Sequence, residues 1–481
     1  MPKIARRRFL ETIGLGAVSM AARRVSSGAV LTGPVEVPRP NIVFVFADQW
    51  RAQAAGYAGD PNARTPNLDR LARESVNFSH AVSACPVCSP YRACLMTGRY
   101  PLSHGVFLND VPLLDKSPSI AQVFRGAGYD TGYIGKWHLL GSGSGYENRA
   151  AFIPPDRRLG FDFWRAMECT HEYNASDYYG DDEVKLRWEG YDAFAQTREA
   201  RDYIRRHAGG KPFCLFLSWG PPHNPYQTAP QRYKELFKEE EIVLRANVPP
   251  ANAAAARKDL AGYYAHIAAL DDALGDLLGT LKEASLEEDT VFVFTSDHGD
   301  MLHSQGRRNK IVPYDESCRV PLLVRYPRAH GPAGRNVTLP VNTPDIMPTL
   351  LGLSGLTIPA SVEGTDFSGI VRGGAARDDE AALLVVPVPF GSFPLRSGGK
   401  EYRGLRTTRW TYVEDARGPW LLFDNAADPY QLENLAPNPA RAGLRAELAE
   451  TLRKKRETVN DDFRPAGDIL SRWRYFGRNE V

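Results

Sequence analysis

Asn41-Ile-Val-Phe-Val-Phe-Ala-Asp48-Gln49-Trp50-Arg51 is the stretch whose reading decides the fold. Ile42 to Ala47 form an uninterrupted apolar run, rich in β-branched and aromatic side chains, that stops abruptly at a carboxylate and an amide. A run this short is read as a strand buried on both faces. Four more segments read alike: Thr131-Gly-Tyr-Ile-Gly135, Pro212-Phe-Cys-Leu-Phe-Leu-Ser218, Thr290-Val-Phe-Val-Phe-Thr295 and Val320-Pro-Leu-Leu-Val-Arg325. Long helix-like stretches separate them, including Pro66 to Val76 behind a capping Thr65, and an Ala-rich stretch from about Asn252 to Glu283. This alternation predicts an α/β fold with a large, mostly parallel central sheet flanked by helices on both faces.

After about residue 375 the character changes. Leu383-Leu-Val-Val-Pro, Tyr402-Arg-Gly-Leu-Arg, Trp410-Thr-Tyr-Val and Trp420-Leu-Leu-Phe have hairpin-like spacing, and a charged helix comes next, around Ala440 to Val459. These elements predict a small C-terminal antiparallel-sheet subdomain. The division expected is 1–38 as a leader and linker, 39–374 as the large α/β domain, and 375–481 as a C-terminal α+β subdomain. No internal repeat of fixed period is present.

The chain has 481 residues, of which 43% are hydrophobic and 24% charged, with 21 Tyr and 21 Phe, an ordinary globular composition that excludes disordered, collagenous and low-complexity classes. A net charge of +2 gives no argument for nucleic acid as a partner, so any charge preference belongs to a local site. Six cysteines, at 85, 88, 94, 169, 214 and 318, are too scattered for a disulfide framework. The N-terminus carries Arg6-Arg7 before Phe9-Leu10, then a short Gly-containing apolar run closed by Arg23-Arg24. It resembles a bacterial twin-arginine signal, which implies export to the periplasm or beyond, and the run is too short for a transmembrane anchor. Pro34, Pro38 and Pro40 then mark a linker.

The residues just past the strands carry the chemistry, because ligands of open α/β sheets bind outside the carboxyl ends of strands. Those ends read Asp48-Gln49, Lys136-Trp137-His138, Pro221-Pro222-His223-Asn224 and Asp297-His298-Gly299-Asp300. Taken singly, each is readable as a capped turn; four together point to one site. Asp48, Gln49, Asp297 and His298 make a candidate cation site, with oxygen donors for Ca²⁺ or Mg²⁺ and an imidazole that also admits Mn²⁺ or Zn²⁺. Lys136 and His138, two apart, project to one side of an extended segment. His223 sits on a backbone stiffened by prolines. Lys310 comes after Arg307-Arg308-Asn309 and reads equally as part of a solvated charge run. Cys85-Pro-Val-Cys88 has the spacing of a zinc knuckle or redox dithiol, yet no second pair lies at suitable spacing and no compact βαβ unit surrounds it.

Cys88-x-Pro90-x-Arg92 followed by Thr97-Gly98 resembles the signature of the type I, formylglycine-dependent sulfatases of the alkaline phosphatase superfamily. Asp48-Gln49, Thr65-Pro-Asn-Leu-Asp69, Gly135-Lys-Trp-His138, Pro222-His-Asn-Pro-Tyr226, Asp297-His-Gly-Asp300, Asn309-Lys310 and Asp428-Pro429 with Glu433-Asn434-Leu435 look like family segments in family order, from about residue 40 onward. The resemblance implies an alkaline-phosphatase-like fold and hydrolysis of sulfate esters of carbohydrates or aryl alcohols. It implies that a maturing enzyme oxidises Cys88 to formylglycine, whose hydrated aldehyde attacks sulfur and then expels sulfate. By the same analogy Arg92 holds the nucleophile, His138 is the base of the release step, and Lys136, His223 and Lys310 bind the sulfate oxygens, with His223 a candidate acid. The metal, expected to be Ca²⁺ with Mg²⁺ or Mn²⁺ as alternatives, falls to Asp48, Gln49, Cys88, Asp297 and His298. The family often has Asp where Gln49 stands and Asn where His298 stands, so a weaker hold on Ca²⁺ is expected. Tyr91 replaces a common Ser and leaves Cys, Pro and Arg intact. Two other readings compete: a phosphodiesterase or phosphonate monoester hydrolase on the same site, and a non-catalytic anion-binding protein with unmodified Cys88.

Overall fold

Strand β1 (Asn41–Asp48) is buried along its whole length, and its side chains alternate between two apolar cores. Ile42, Phe44 and Phe46 enter one, and Val43, Val45 and Ala47 enter the other, as the two-residue period of a strand requires. The computed structural model describes residues 39–142, 148–375 and 380–475. The segment read as an export signal, with Arg6 and Arg7, lies outside them.

The remaining strands of the large sheet are β2 (Val76–Val82), β3 (Asp130–Lys136), β4 (Phe163–Met167), β5 (Asp177–Tyr179), β6 (Lys185–Arg187), β7 (Phe213–Pro222), β8 (Thr290–Ser296), β9 (Leu322–Arg325) and β10 (Arg335–Asn342). They form a ten-stranded sheet in the order β10-β2-β9-β8-β1-β7-β3-β4-β5-β6. Strands β8, β1, β7, β3 and β4 are parallel throughout, with Val45 facing Leu217 on one side and Phe294 on the other. β9 runs against both its neighbours, and β5 runs against β4 and β6.

Helices cover both faces. α1 (Pro66–Arg73), α3 (Asp192–His207) and α4 (Ala253–Glu283) pack on the face of Val43 and Val45, while α2 (Cys88–Thr97) and α5 (Thr343–Leu353) pack on the face of Phe44 and Phe46. Each fully buried Val, Leu or Phe contributes roughly 1.5–3 kcal/mol against exposure, so both faces drive folding.

A second, four-stranded antiparallel sheet comes later in the chain, in the order β11 (Ala381–Val386), β12 (Tyr402–Thr407), β13 (Trp410–Asp415), β14 (Gly418–Asp424). Leu383, Val385, Leu405, Tyr412 and Leu422 meet Leu448 and Leu452 of α6 (Ala442–Thr458). The opposite face, with Leu384, Val386, Tyr402, Val413 and Phe423, joins the Phe44 core.

The α/β class, the mostly parallel sheet and the small antiparallel sheet are those expected from the sequence. Two local expectations need correction. The helix from Pro66 stops at Arg73, because Val76 is claimed by β2. Thr65 makes no side-chain cap; its Oγ1 donates to Asp69 Oδ1 at 3.0 Å and accepts from the Gly56 amide at 2.8 Å. β2, β4 and β10 escape a reading by apolar runs: β2 interleaves Asn77, Ser79 and His80, and β10 contains Pro340.

Candidate active site

The carboxyl ends of four neighbouring parallel strands, β8, β1, β7 and β3, deliver the polar clusters to one edge of the sheet. β1 ends in Asp48 and leads to Gln49, β3 leads from Lys136 to His138, β7 leads to His223, and β8 leads to Asp297 and His298. Each parallel strand ends on the same side, so sheet order alone gathers residues about 250 positions apart. Helix α2 enters from the Phe44 face with Cys88 as its first residue, where the positive end of the helix dipole favours an anion.

Cys88 is buried, with Sγ 3.3 Å from His298 Nε2, 3.7 Å from Asp48 Oδ1 and 3.7 Å from Lys310 Nζ. Arg92, one turn along α2, is fully buried and ties the site together. Its Nη1 donates to the Lys136 carbonyl and Ser218 Oγ, both at 2.7 Å, and its Nη2 donates to Asp48 Oδ2 at 3.3 Å and Asp297 Oδ2 at 3.1 Å. Lys136 Nζ reaches Asp48 Oδ2 at 2.6 Å. Lys310 Nζ donates to Gln49 Oε1 at 2.6 Å, so the site takes this lysine out of the solvated charge run. Gln49 in turn donates its backbone amide to Asp297 Oδ1 at 3.0 Å and its Nε2 to Asp300 Oδ2 at 2.7 Å.

This packing of charge sets the ionisation of each group. Burial alone would raise the Asp48 carboxyl, yet Lys136 above all, then His223, His298 and Lys310, hold it well below the usual carboxylate range. Burial works against the Lys136 ammonium, and Asp48 more than restores it. The Cys88 thiol is pushed up by burial and by Asp48, but Lys136 and Lys310 bring it below its ordinary value. Burial and Lys310 drive the His223 imidazole well below its usual range. Its Nδ1 donates to the Asn224 carbonyl at 2.7 Å, and His171 stacks face to face on the ring at 4.3 Å.

The donor atoms of Asp48, Cys88, Asp297 and His298 lie within 4.8 Å of one another, all buried. The Oδ2 atoms of the two aspartates are taken by cations, while Oδ1 of each faces His298 Nε2, at 3.6 and 3.4 Å. Two anionic oxygens and an imidazole converging in this way suit a divalent cation such as Ca²⁺, Mg²⁺ or Mn²⁺. The adjoining cavity of about 270 Å³ is lined by Asn109, Asp110, Arg149, His223, Lys310 and Phe390, among others. Phe390 comes from the loop after β11, so the second sheet supplies part of the wall.

The residues singled out from the sequence stand at this edge, and His138 is tied to the loop of Asp110: its Nε2 faces Asp110 Oδ1 at 3.2 Å. Sequence reasoning misses Asp110, Arg149, Glu168, His171 and Ser218. Glu168 accepts the backbone amides of Leu139, Leu140 and Gly141, fixing the turn after His138, and burial raises its carboxyl to about 7. None of these carries a spacing signal; the local backbone is marked by positive φ angles, among them those of Asp110 (62°), His138 (59°), Gln49 (73°) and Asn309 (60°).

Known proteins resemble this chain in sequence and in fold. The sulfatase family matches residues 40–356, and the family described as N-sulphoglucosamine sulphohydrolase, C-terminal, matches residues 305–458. An ulvan-active sulfatase of Formosa agariphila is 43% identical over 451 residues, 92% of this chain and 86% of that protein. An endo-4-O-sulfatase of Bacteroides thetaiotaomicron is 32% identical, over 83% of this chain and 88% of that one. A solved structure concerned with the metabolism of multiple glycosaminoglycans by Bacteroides thetaiotaomicron superposes with a TM-score of 0.78 at 30% identity, covering 90% of this chain and 99% of that chain.

Proposed function

This chain belongs to the sulfatase family and is a sulfuric ester hydrolase by class, and from that premise we propose that it cleaves carbohydrate or aryl sulfates with a nucleophile made from Cys88. The names of the ulvan-active and endo-4-O relatives favour the carbohydrate. The observation that carries the reading is the position of Cys88: first residue of α2, buried, and within 3.7 Å of Asp48, His298 and Lys310. The division into a catalytic part, 39–374, and a C-terminal part, 375–481, is proposed with it. So are a sulfated glycan or small molecule as substrate, a formylglycine-generating or sulfatase-maturing enzyme as partner, and export by the Arg6-Arg7 signal.

Formylglycine at position 88 supplies a hydrated aldehyde with two oxygens, and a divalent ion held by Asp48, Gln49, residue 88, Asp297 and His298 adds Lewis acidity. The rest is done by side chains of the chain itself. Arg92 fixes the two aspartates and the turn of α2 that carries residue 88. Lys136 and Lys310, both within reach of Asp48 or Cys88, neutralise the transferring sulfuryl group. His223 spends its Nδ1 proton on Asn224, so it serves as an acid toward the leaving group only as the imidazolium, a form that a bound sulfate favours. His138 takes the proton whose removal releases sulfate. Among the described residues no helix is long and apolar enough to cross a membrane.

The test has two measurements. In protein from its native host, the peptide carrying Cys88 is expected to weigh about 18 Da less than the thiol form, the mass change of oxidation to the aldehyde. The converted enzyme is expected to hydrolyse sulfate esters faster than matched phosphate or phosphonate esters, and Cys88→Ala to lose about 1000-fold or more of that rate with the fold intact. Faster phosphate or phosphonate cleavage would give the site to a phosphodiesterase or phosphonate monoester hydrolase, and an unmodified thiol with no turnover would leave an anion-binding protein.

A further inference from the structure

We propose that Asp110 is the positioning residue that fixes the proton of His138 on Nε2, so that His138 acts through Nδ1. This rests on the reading of His138 as the base.

The two side chains are both buried, with Asp110 Oδ1 3.2 Å from His138 Nε2. Arg149 grips the same carboxylate as a fork, Nε to Oδ1 at 3.1 Å and Nη2 to Oδ2 at 2.8 Å. Burial works to raise the Asp110 carboxyl, but its hydrogen bond and charge pairing with His138, then the Arg149 fork and Ser142, hold it well below the usual range. An ionised carboxylate only accepts, so the shared hydrogen must sit on Nε2. The neutral ring then has its lone pair on Nδ1. That atom is buried and has no hydrogen-bond partner among the described residues. A buried acceptor left open is uncommon, and a catalytic role is one of the few reasons for it.

The backbone supports the same reading. Asp110 and His138 both hold left-handed φ angles, 62° and 59°, which non-glycine residues adopt when their surroundings demand it. Asn109, next to Asp110, accepts the Ser89 amide at 3.0 Å, so one loop touches both the first turn of α2 and the imidazole. The His138 amide is held by the Glu168 carbonyl at 2.7 Å. In the proton transfer, Nδ1 gains a proton while Nε2 keeps its own, and the resulting imidazolium faces the Asp110 charge. Asp110 thus does two jobs: it selects the tautomer and it balances the cation.

The experiment uses the mature full-length enzyme labelled with ¹⁵N-histidine, with His138→Gln to identify the resonance. The Nε2–H tautomer of His138 is expected in wild type and is expected to be lost in Asp110→Asn, where an amide can donate to Nε2. On a sulfate ester that wild type turns over, Asp110→Asn is expected to lower kcat by about 100-fold while KM stays within about threefold. An Nδ1–H tautomer in wild type overturns the proposal, as does an Asp110→Asn enzyme with wild-type kcat or a loss confined to KM. If Asp110→Asn does not fold, the wild-type spectrum decides alone. A wild type inert toward every sulfate ester would instead sink the functional reading, while the tautomer would still judge Asp110.

Discussion

Asp192 shows at the scale of one residue how burial stores a pH dependence. It starts α3, accepts Ser176 Oγ at 3.0 Å through Oδ2, and has its carboxyl pushed by burial to about 7 against the hydrogen bonds from Ser176 and the Ala193 amide. An acid whose folded value lies above its unfolded value binds more protons when folded, so it supports folding at low pH and loses that support as pH rises from about 4 through about 7. Asp192→Asn stays neutral throughout. Urea unfolding is therefore expected to find wild type losing stability relative to Asp192→Asn between about pH 4 and pH 8, by up to about 4 kcal/mol. A constant difference across that range would mean the carboxyl ionises as freely in the fold as in the unfolded chain. Residues of this kind leave no trace in the sequence, because Asp192 looks like any Asp at a helix start. Cys88, Pro90 and Arg92 are the opposite case: their identity and spacing sit within one helical turn and are legible before any fold is known.

At the scale of an element, α2 is set by its two ends. Cys88 begins it at the site, and Gly98 ends it with φ of 65° and its amide on the Cys94 carbonyl at 2.8 Å. A β-carbon at Gly98 would meet Val362 Cγ1 at 2.9 Å, besides the strain of that φ. Gly98→Ala is expected to lower stability by about 1–3 kcal/mol in thermal or denaturant unfolding, and an unchanged midpoint would show that the helix end is free to relax. The five apolar runs are readable as strands because each is buried on both faces and therefore continuous; β9 is readable as a strand, but its reversed direction is not. Direction and neighbour are settled by connections elsewhere in the chain, and β2 hides behind alternating polar residues that suit its partly exposed flank.

Over the whole molecule, buried ion pairs couple the two sheets. Arg406 of β12 grips Asp315, which precedes β9, with Nε on Oδ1 at 3.0 Å and Nη2 on Oδ2 at 3.1 Å, both side chains nearly inaccessible. Burial raises the Asp315 carboxyl, but Arg406 and Arg319 hold it well below its ordinary range. A depressed carboxylate contributes stability above its unfolded value and loses it as pH falls, so Arg406→Met is expected to cost about 3–5 kcal/mol at about pH 7 and progressively less below about pH 4. Equal losses at neutral and strongly acidic pH, measured by denaturant unfolding, would contradict that assignment. The second sheet also supplies Phe390 to the wall of the cavity, which no local pattern announces. By itself the sequence determined the class of fold and the residue types available for chemistry, because apolar runs, turns and the Cys88 to Arg92 spacing are local properties. The tertiary structure alone decided the contacts within that site, such as Lys310 on Gln49 and Arg92 on both aspartates, and that Asp110 and Arg149 stand behind His138, because contact across the edge of a sheet depends on strand order and on the packing of distant loops.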